Sequence, residues 1–176
     1  MSNVHSAIDA VFEQVADFFS SNLQKEIKIT SINSEALNAW QQSWSSSLRI
    51  PPNGGWDWRC KLSNASRKYQ KRLMSVAVWG QDNCLCGLAL CSRSKSNEVL
   101  SVHYIEGAPI EQHPLTGYVF NIINAVLHEY SYVVNANKIR IMYPVKDLID
   151  FYNSHGYILS KKSLFGRPYC EKGIER

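Results

Sequence analysis

The chain has 176 residues, 45% of them hydrophobic and 19% charged, with a formal net charge of +4. That is enough apolar material for one well-buried core and too little for two, and it excludes a disordered chain. No apolar run reaches the length a membrane-spanning helix needs, and the charge is too small to argue for nucleic acid as a partner.

Residues 1–21 carry Asp9, Glu13 and Asp17 where a secretory signal would need an uninterrupted apolar stretch. With an odd cysteine count, a reduced, cytoplasmic setting is expected. Cys84 and Cys86 are spaced too tightly for a zinc knuckle and have no His nearby, so they read as small core residues and no metal site is expected.

In chain order, residues 4–24 read as an amphipathic helix, with Ile8, Val11, Phe12, Val15, Phe18, Phe19 and Leu23 near a 3.6-residue period. Residues 26–32 alternate like a short strand. Asn33 or Ser34 caps a second helix that runs through Trp40 and Trp44. The stretch 50–58, Ile-Pro-Pro-Asn-Gly-Gly-Trp-Asp-Trp, is irregular yet carries two tryptophans. These either pin the loop to the core or wall a ligand site.

Residues 59–72 hold Arg59, Lys61, Arg67, Lys68, Lys71 and Arg72 with no acid among them. They form a solvated helix face or an anion-attracting rim. A three-strand meander follows over 74–79, 85–90 and 98–105. A long helix is predicted over 117–134, then a strand at 138–143, a helix at 145–155, and strands at 157–161 and near 167–170. This order predicts an α/β (α+β mixed) domain whose mixed sheet carries helices on both faces. Such a sheet splays where a strand stops pairing, and the opening is a natural ligand cleft.

The order of elements, the strand–loop–helix unit over 99–134 and segment 148–157, Leu-Ile-Asp-Phe-Tyr-Asn-Ser-His-Gly-Tyr, together resemble the GCN5-related N-acetyltransferases, the GNAT superfamily. The resemblance spans residues 26–172, leaving 1–25 as an accessory helix of the same domain. It implies a mostly antiparallel, splayed central sheet and an acetyl group moved from acetyl-CoA to an amine by direct attack. Carried over residue by residue, it makes Tyr152 the acid that protonates the departing thiolate, and Glu106 a base for the attacking amine.

The loop and helix start at His113, Leu115, Thr116, Gly117, Tyr118 and Val119 would hold the cofactor pyrophosphate through backbone N–H groups and the helix dipole. Here Gly117 keeps its family place, while Pro114, Val119 and Val145 replace an Arg or Gln, a second Gly and an Asn. The acceptor would lie between Tyr152 and the aromatic loop, with Trp56, Asp57 and Trp58 as its contacts. Strict strand alternation puts His103 on the face opposite Glu106, so the two are not expected to pair.

Three readings stay open: an N-acetyltransferase, a non-catalytic GNAT-fold binding or regulatory protein with weakened cofactor binding, and a nucleic-acid-associated protein using residues 59–72. The acceptor amine is not legible. The first helix must bury its apolar face against the domain or in a homodimer.

Overall fold

The computed structural model describes residues 2–44, 49–160 and 166–175. Its elements are α1 (Ser2–Leu23), β1 (Lys28–Thr30), α2 (Ser34–Ser43), α3 (Trp58–Tyr69), β2 (Leu73–Gly80), β3 (Cys84–Arg93), β4 (Val99–Gly107), α4 (Val119–Val134), β5 (Lys138–Met142), α5 (Ile149–Ser154), β6 (Ile158–Ser160) and β7 (Tyr169–Gly173). Each predicted strand and helix appears, and the basic run becomes α3 followed by a 3₁₀ turn over Gln70–Arg72 that carries Lys71 and Arg72. Lys161, the expected end of β6, lies outside the described residues. The helix expected from residue 145 starts later, because Val145 stays extended after Pro144 and a turn of 3₁₀ helix over Lys146–Leu148 precedes α5.

The strands form one sheet in the order β1-β2-β3-β4-β5-β7-β6. Every pairing is antiparallel except β4 with β5, which is parallel. One face carries α1, α4 and α5, where Phe12, Val15, Ile122, Val126, Tyr152 and Tyr157 share one apolar cluster with the sheet. The other face carries α2 and α3, with Trp44, Trp58, Ala65, Leu88 and Leu90 in a second cluster. The apolar stripe of α1 is therefore covered within the domain itself, against α4 and β1, except for Phe18, which is exposed.

The sheet opens at one place. Pairing of β4 with β5 ends at Val102 and Ile141, although β4 continues to Gly107. Two local features coincide with the opening. On β4, Leu90 pairs with Tyr104 and Cys91 with Val102, so His103 is an extra residue, a β-bulge that bends the strand. On the other side Tyr143 adopts a left-handed backbone (φ 53), and its N–H donates to Pro168 O at 2.9 Å instead of to β4.

The bulge corrects the strict alternation expected for this strand. His103 stacks on Tyr69 of α3 (centroids 4.6 Å apart), and Glu106 receives a hydrogen bond from Trp58 of the same helix. Both therefore face α3, although neither bonds the other.

Candidate active site

A cavity of about 510 Å³ fills the splay. It is lined by the end of β4, including Glu106, by residues 141–145 after the divergence, by Tyr152 of α5, and by Arg49 and Trp56 of the irregular loop.

Glu106 is buried but not isolated. Its Oε1 accepts from the Gly55 N–H at 2.6 Å and its Oε2 from the Trp58 indole Nε1–H at 2.8 Å. The Asn-Gly-Gly sequence follows from this wrapping: a Cβ at Gly54 would stand 2.6 Å from the Glu106 carboxylate, and both glycines have positive φ. Each carboxylate oxygen has a second lone pair, so the group can still accept a proton or hydrogen bond from the cavity.

The three acceptor candidates separate. Trp56 lines the cavity and packs edge-on against Tyr104, with ring centroids 5.2 Å apart. Trp58 is completely buried as the first residue of α3, where its indole orients Glu106. Asp57 is exposed and caps α3, its carboxylate accepting from Cys60 N–H at 2.9 Å. Neither Asp57 nor Trp58 lines the cavity.

Tyr152 is 4% exposed and presents its side chain to the cavity. Burial, with Cys170 beside it, raises the phenol above its ordinary pKa, so it stays protonated near neutrality. Among the described residues nothing hydrogen-bonds its hydroxyl, which leaves that proton free to be donated. The segment around it is fixed at both ends. Gly156 takes φ +84 just past α5, and Tyr157 N–H closes on Tyr152 O at 3.1 Å. The Tyr157 hydroxyl donates to Asn124 of α4 at 2.6 Å, and Phe120 packs against Phe151 and Tyr152.

A second opening, lined by His113, Thr116, Gly117, Val119, Phe120 and Phe151, lies at the start of α4. It shares Arg49 and Gly107 with the splay cavity, and the Arg49 guanidinium donates to Gly107 O at 2.8 Å. Among the described residues the N–H groups of Gly117, Val119, Phe120 and Asn121 find no backbone acceptor, the ordinary condition of an anion-binding helix start. The Thr116 and Tyr118 N–H groups are used within the loop, bonding His113 O and Leu115 O. His113 is buried, with Nδ1 accepting from Leu115 N–H at 3.3 Å. Burial, Arg49 and Lys25 all lower its pKa, so it is neutral near pH 7. Leu115 is wholly buried in the core, and Tyr118 lies outside this opening, at the side of Lys25.

The bulky residues at the two altered loop positions are absorbed by glycines on the sheet. A Cβ at Gly87 of β3 would collide with a Val119 methyl, and one at Gly80 of β2 would come within 2.9 Å of Pro114. Val119 thus packs down onto the sheet. Gly87→Ala should cost about 1–3 kcal/mol by overpacking. Val119→Ala should restore most of it in the double variant, as read from urea unfolding midpoints.

Arg49 and Tyr143 have no place among the residues expected at the site, and His103 was expected on the opposite face of β4 from Glu106. Arg49 stands alone before the proline-rich loop and carried no signal, and the other two owe their places to the bulge and to a left-handed turn. Cys86 is a core residue whose thiol is pushed up to about 12, chiefly by burial. No described helix is long and apolar enough to cross a membrane.

Compared by sequence, the chain matches no family model and no curated protein. Compared by structure, it is similar to an acetyltransferase of the GNAT family from Staphylococcus aureus, with TM-score 0.60 and 14% identity over 85% of this chain and 99% of that one. It is also similar to the ribosomal-protein-S18-alanine N-acetyltransferase from Escherichia coli, with TM-score 0.59 and 14% identity over 85% and 95%. A variant of the spermidine N-acetyltransferase from Vibrio cholerae aligns with TM-score 0.57 and 14% identity over 84% and 93%. The splayed seven-stranded sheet, with its helices on both faces, has the fold of the GNAT N-acetyltransferases.

Proposed function

We propose that the protein is an N-acetyltransferase that moves an acetyl group from acetyl-CoA to an amine. The observation that carries this reading is the convergence of Tyr152 and Glu106 on one cavity, joined through Arg49 and Gly107 to the open N-terminus of α4. In the reaction, Glu106 takes the amine proton, directly or through a water, as nitrogen attacks the thioester carbonyl carbon. The tetrahedral intermediate collapses with cleavage of the C–S bond, and Tyr152 supplies a proton to the leaving thiolate. The α4 start, with Gly117, Thr116 and Arg49 around it, holds the pyrophosphate; it positions the cofactor and takes no part in proton transfer.

Titration calorimetry with acetyl-CoA tests the reading first. Saturable binding well below millimolar is expected, and no heat of binding near 1 mM ligand overturns it. A second reading, a binding protein without turnover, draws on Pro114 and Val119 in the loop and on the two loop N–H groups already bonded internally. Its signature would be acetyl-CoA binding with no thiol release in the presence of any amine tried.

A further inference from the structure

The splay cavity does not end at Glu106. Beyond Trp56, His103, Tyr104 and Tyr143 it continues into a second cavity of about 480 Å³ between α3 and the lip of β5. Three cations line this outer space: Lys61, Lys68 and Arg167. Each sits over an aromatic ring. Lys61 Nζ is 5.1 Å from the Trp56 centroid and 4.7 Å from that of Tyr104. Lys68 Nζ is 5.0 Å from the Tyr69 ring, and the Arg167 guanidinium is 5.5 Å from that of Tyr143. Among the described residues no carboxylate lines the outer cavity and none of the three cations makes an ion pair. The carboxylates of the cleft, Glu106 and Asp147, both line the inner cavity.

The basic run of α3 is thereby divided. Arg59 is engaged by Asn38 and Gln41 of α2, Arg67 by Asn64, and Arg72 by Arg93 O. Lys61 and Lys68, on one side of the helix, are the members that reach the cleft. A cation resting on a ring at an exposed site is held only weakly, so it stays in place yet remains open to a stronger anionic partner. Burial and the nearby Lys68 also lower the pKa of His103 to about 4, so the imidazole between the two cavities is uncharged at neutral pH.

The geometry points to an acceptor of defined polarity: a small aromatic or otherwise planar amine that carries a phosphate or carboxylate at its far end. The amine enters the inner cavity beside Glu106, the planar body lies along Trp56, Tyr104 and Tyr143, and the anion meets Lys61, Lys68 and Arg167. A polyamine, cationic along its whole length, would meet like charge in the outer cavity. The inference rests on the transferase reading for the direction in which the amine points. The volume and the two-sided charge suit a small molecule, and the division of the basic run leaves no continuous stripe for a nucleic-acid backbone.

The test measures thiol release from acetyl-CoA with matched amines: tyramine against O-phosphotyramine, benzylamine against 4-(aminomethyl)benzoate, and spermidine. The anion-bearing member of at least one pair is expected to exceed its parent lacking the anion about tenfold or more in kcat/KM, and spermidine to be the poorest. Which pair shows the larger ratio tells phosphate from carboxylate. In a Lys61→Met, Lys68→Met double variant the anionic preference should fall to within about twofold. Equal use of both members of each pair, preference for spermidine, or a preference that survives in the double variant overturns the inference. Direct calorimetric titration with O-phosphotyramine and 4-(aminomethyl)benzoate separates this result from failure of the transferase reading. If acetyl-CoA does not bind but either probe binds and the double variant loses it, the anion subsite stands without the transferase. If neither probe binds or is preferred, the subsite falls whether or not acetyl-CoA binds.

Discussion

Replacing Tyr152 by Phe should lower kcat for acetyl transfer by about 10²–10³-fold, within the range general acids contribute, while acetyl-CoA affinity changes by less than about twofold. The separation is expected because the change removes one oxygen from an otherwise retained packing unit. The ring contacts with Phe120 and Phe151 persist, and among the described residues the lost hydroxyl had no hydrogen-bond partner. Stability should therefore stay within about 0.5 kcal/mol of the parent, as for substitutions that create no cavity and strand no polar group. The raised pKa fixes the sign of the pH dependence. A phenol held protonated above its ordinary range serves as an acid across neutral pH, and its activity is lost only when alkaline conditions ionise it. Full turnover in Tyr152→Phe, measured by thiol release under saturating acetyl-CoA, would remove Tyr152 as the proton donor while leaving the fold and cofactor site untouched.

Glu106 should behave differently, because it is both a proposed base and a structural anchor. Glu106→Ala strands the buried Trp58 indole N–H without an acceptor, at roughly 1–3 kcal/mol, and leaves the Gly55 N–H, in an exposed residue, to water. The Gly-Gly loop that closes the cavity should loosen with it, and turnover should fall below detection. Glu106→Gln keeps an acceptor oxygen but turns an amide N–H₂ toward one of the two donors. It should cost less stability and still lose about 10²–10³-fold in kcat/KM, the contribution of a base. The decisive comparison is with Trp58→Phe, which keeps the carboxylate but removes one of its donors and some buried volume, at about 1–3 kcal/mol. If Glu106→Gln and Trp58→Phe are destabilised alike while only the former loses turnover, Glu106 handles the proton. Parallel loss of activity in both would make it a positioning residue for the loop.

The features that place Tyr152 and Glu106 differ in how visible they are in the sequence. The helix end at Gly156 was legible because the left-handed backbone there strongly favours glycine, and the phenol four residues earlier inherits a fixed place from it. The start of α2 was legible to within one residue for a similar local reason, with Asn33 or Ser34 as the expected cap and Asn33 as the observed one. Asp57 could have been recognised in the same way, as an acid standing immediately before the helical basic run. Its neighbouring tryptophans instead make it look like part of a ligand wall. The fate of those tryptophans was not legible: two indoles two residues apart end with one wholly buried under Glu106 and the other lining the cavity. The choice depends on which carboxylate reaches the loop from a strand about fifty residues away.

The sequence by itself determined the element order, the helix boundaries at Asn33 or Ser34 and at Gly156, and the placing of Tyr152 and Glu106 in the last part of a helix and a strand. These follow from side-chain periodicity and from backbone preferences that act within a few residues. The tertiary structure decided which residues meet in the cleft. The bulge at His103 brought it to the same face as Glu106, the left-handed turn at Tyr143 carried β5 away from β4, and the packing of α3 selected Lys61 and Lys68 from an undifferentiated basic run. Each depends on contacts between segments far apart in the chain, and periodicity carries no record of such contacts.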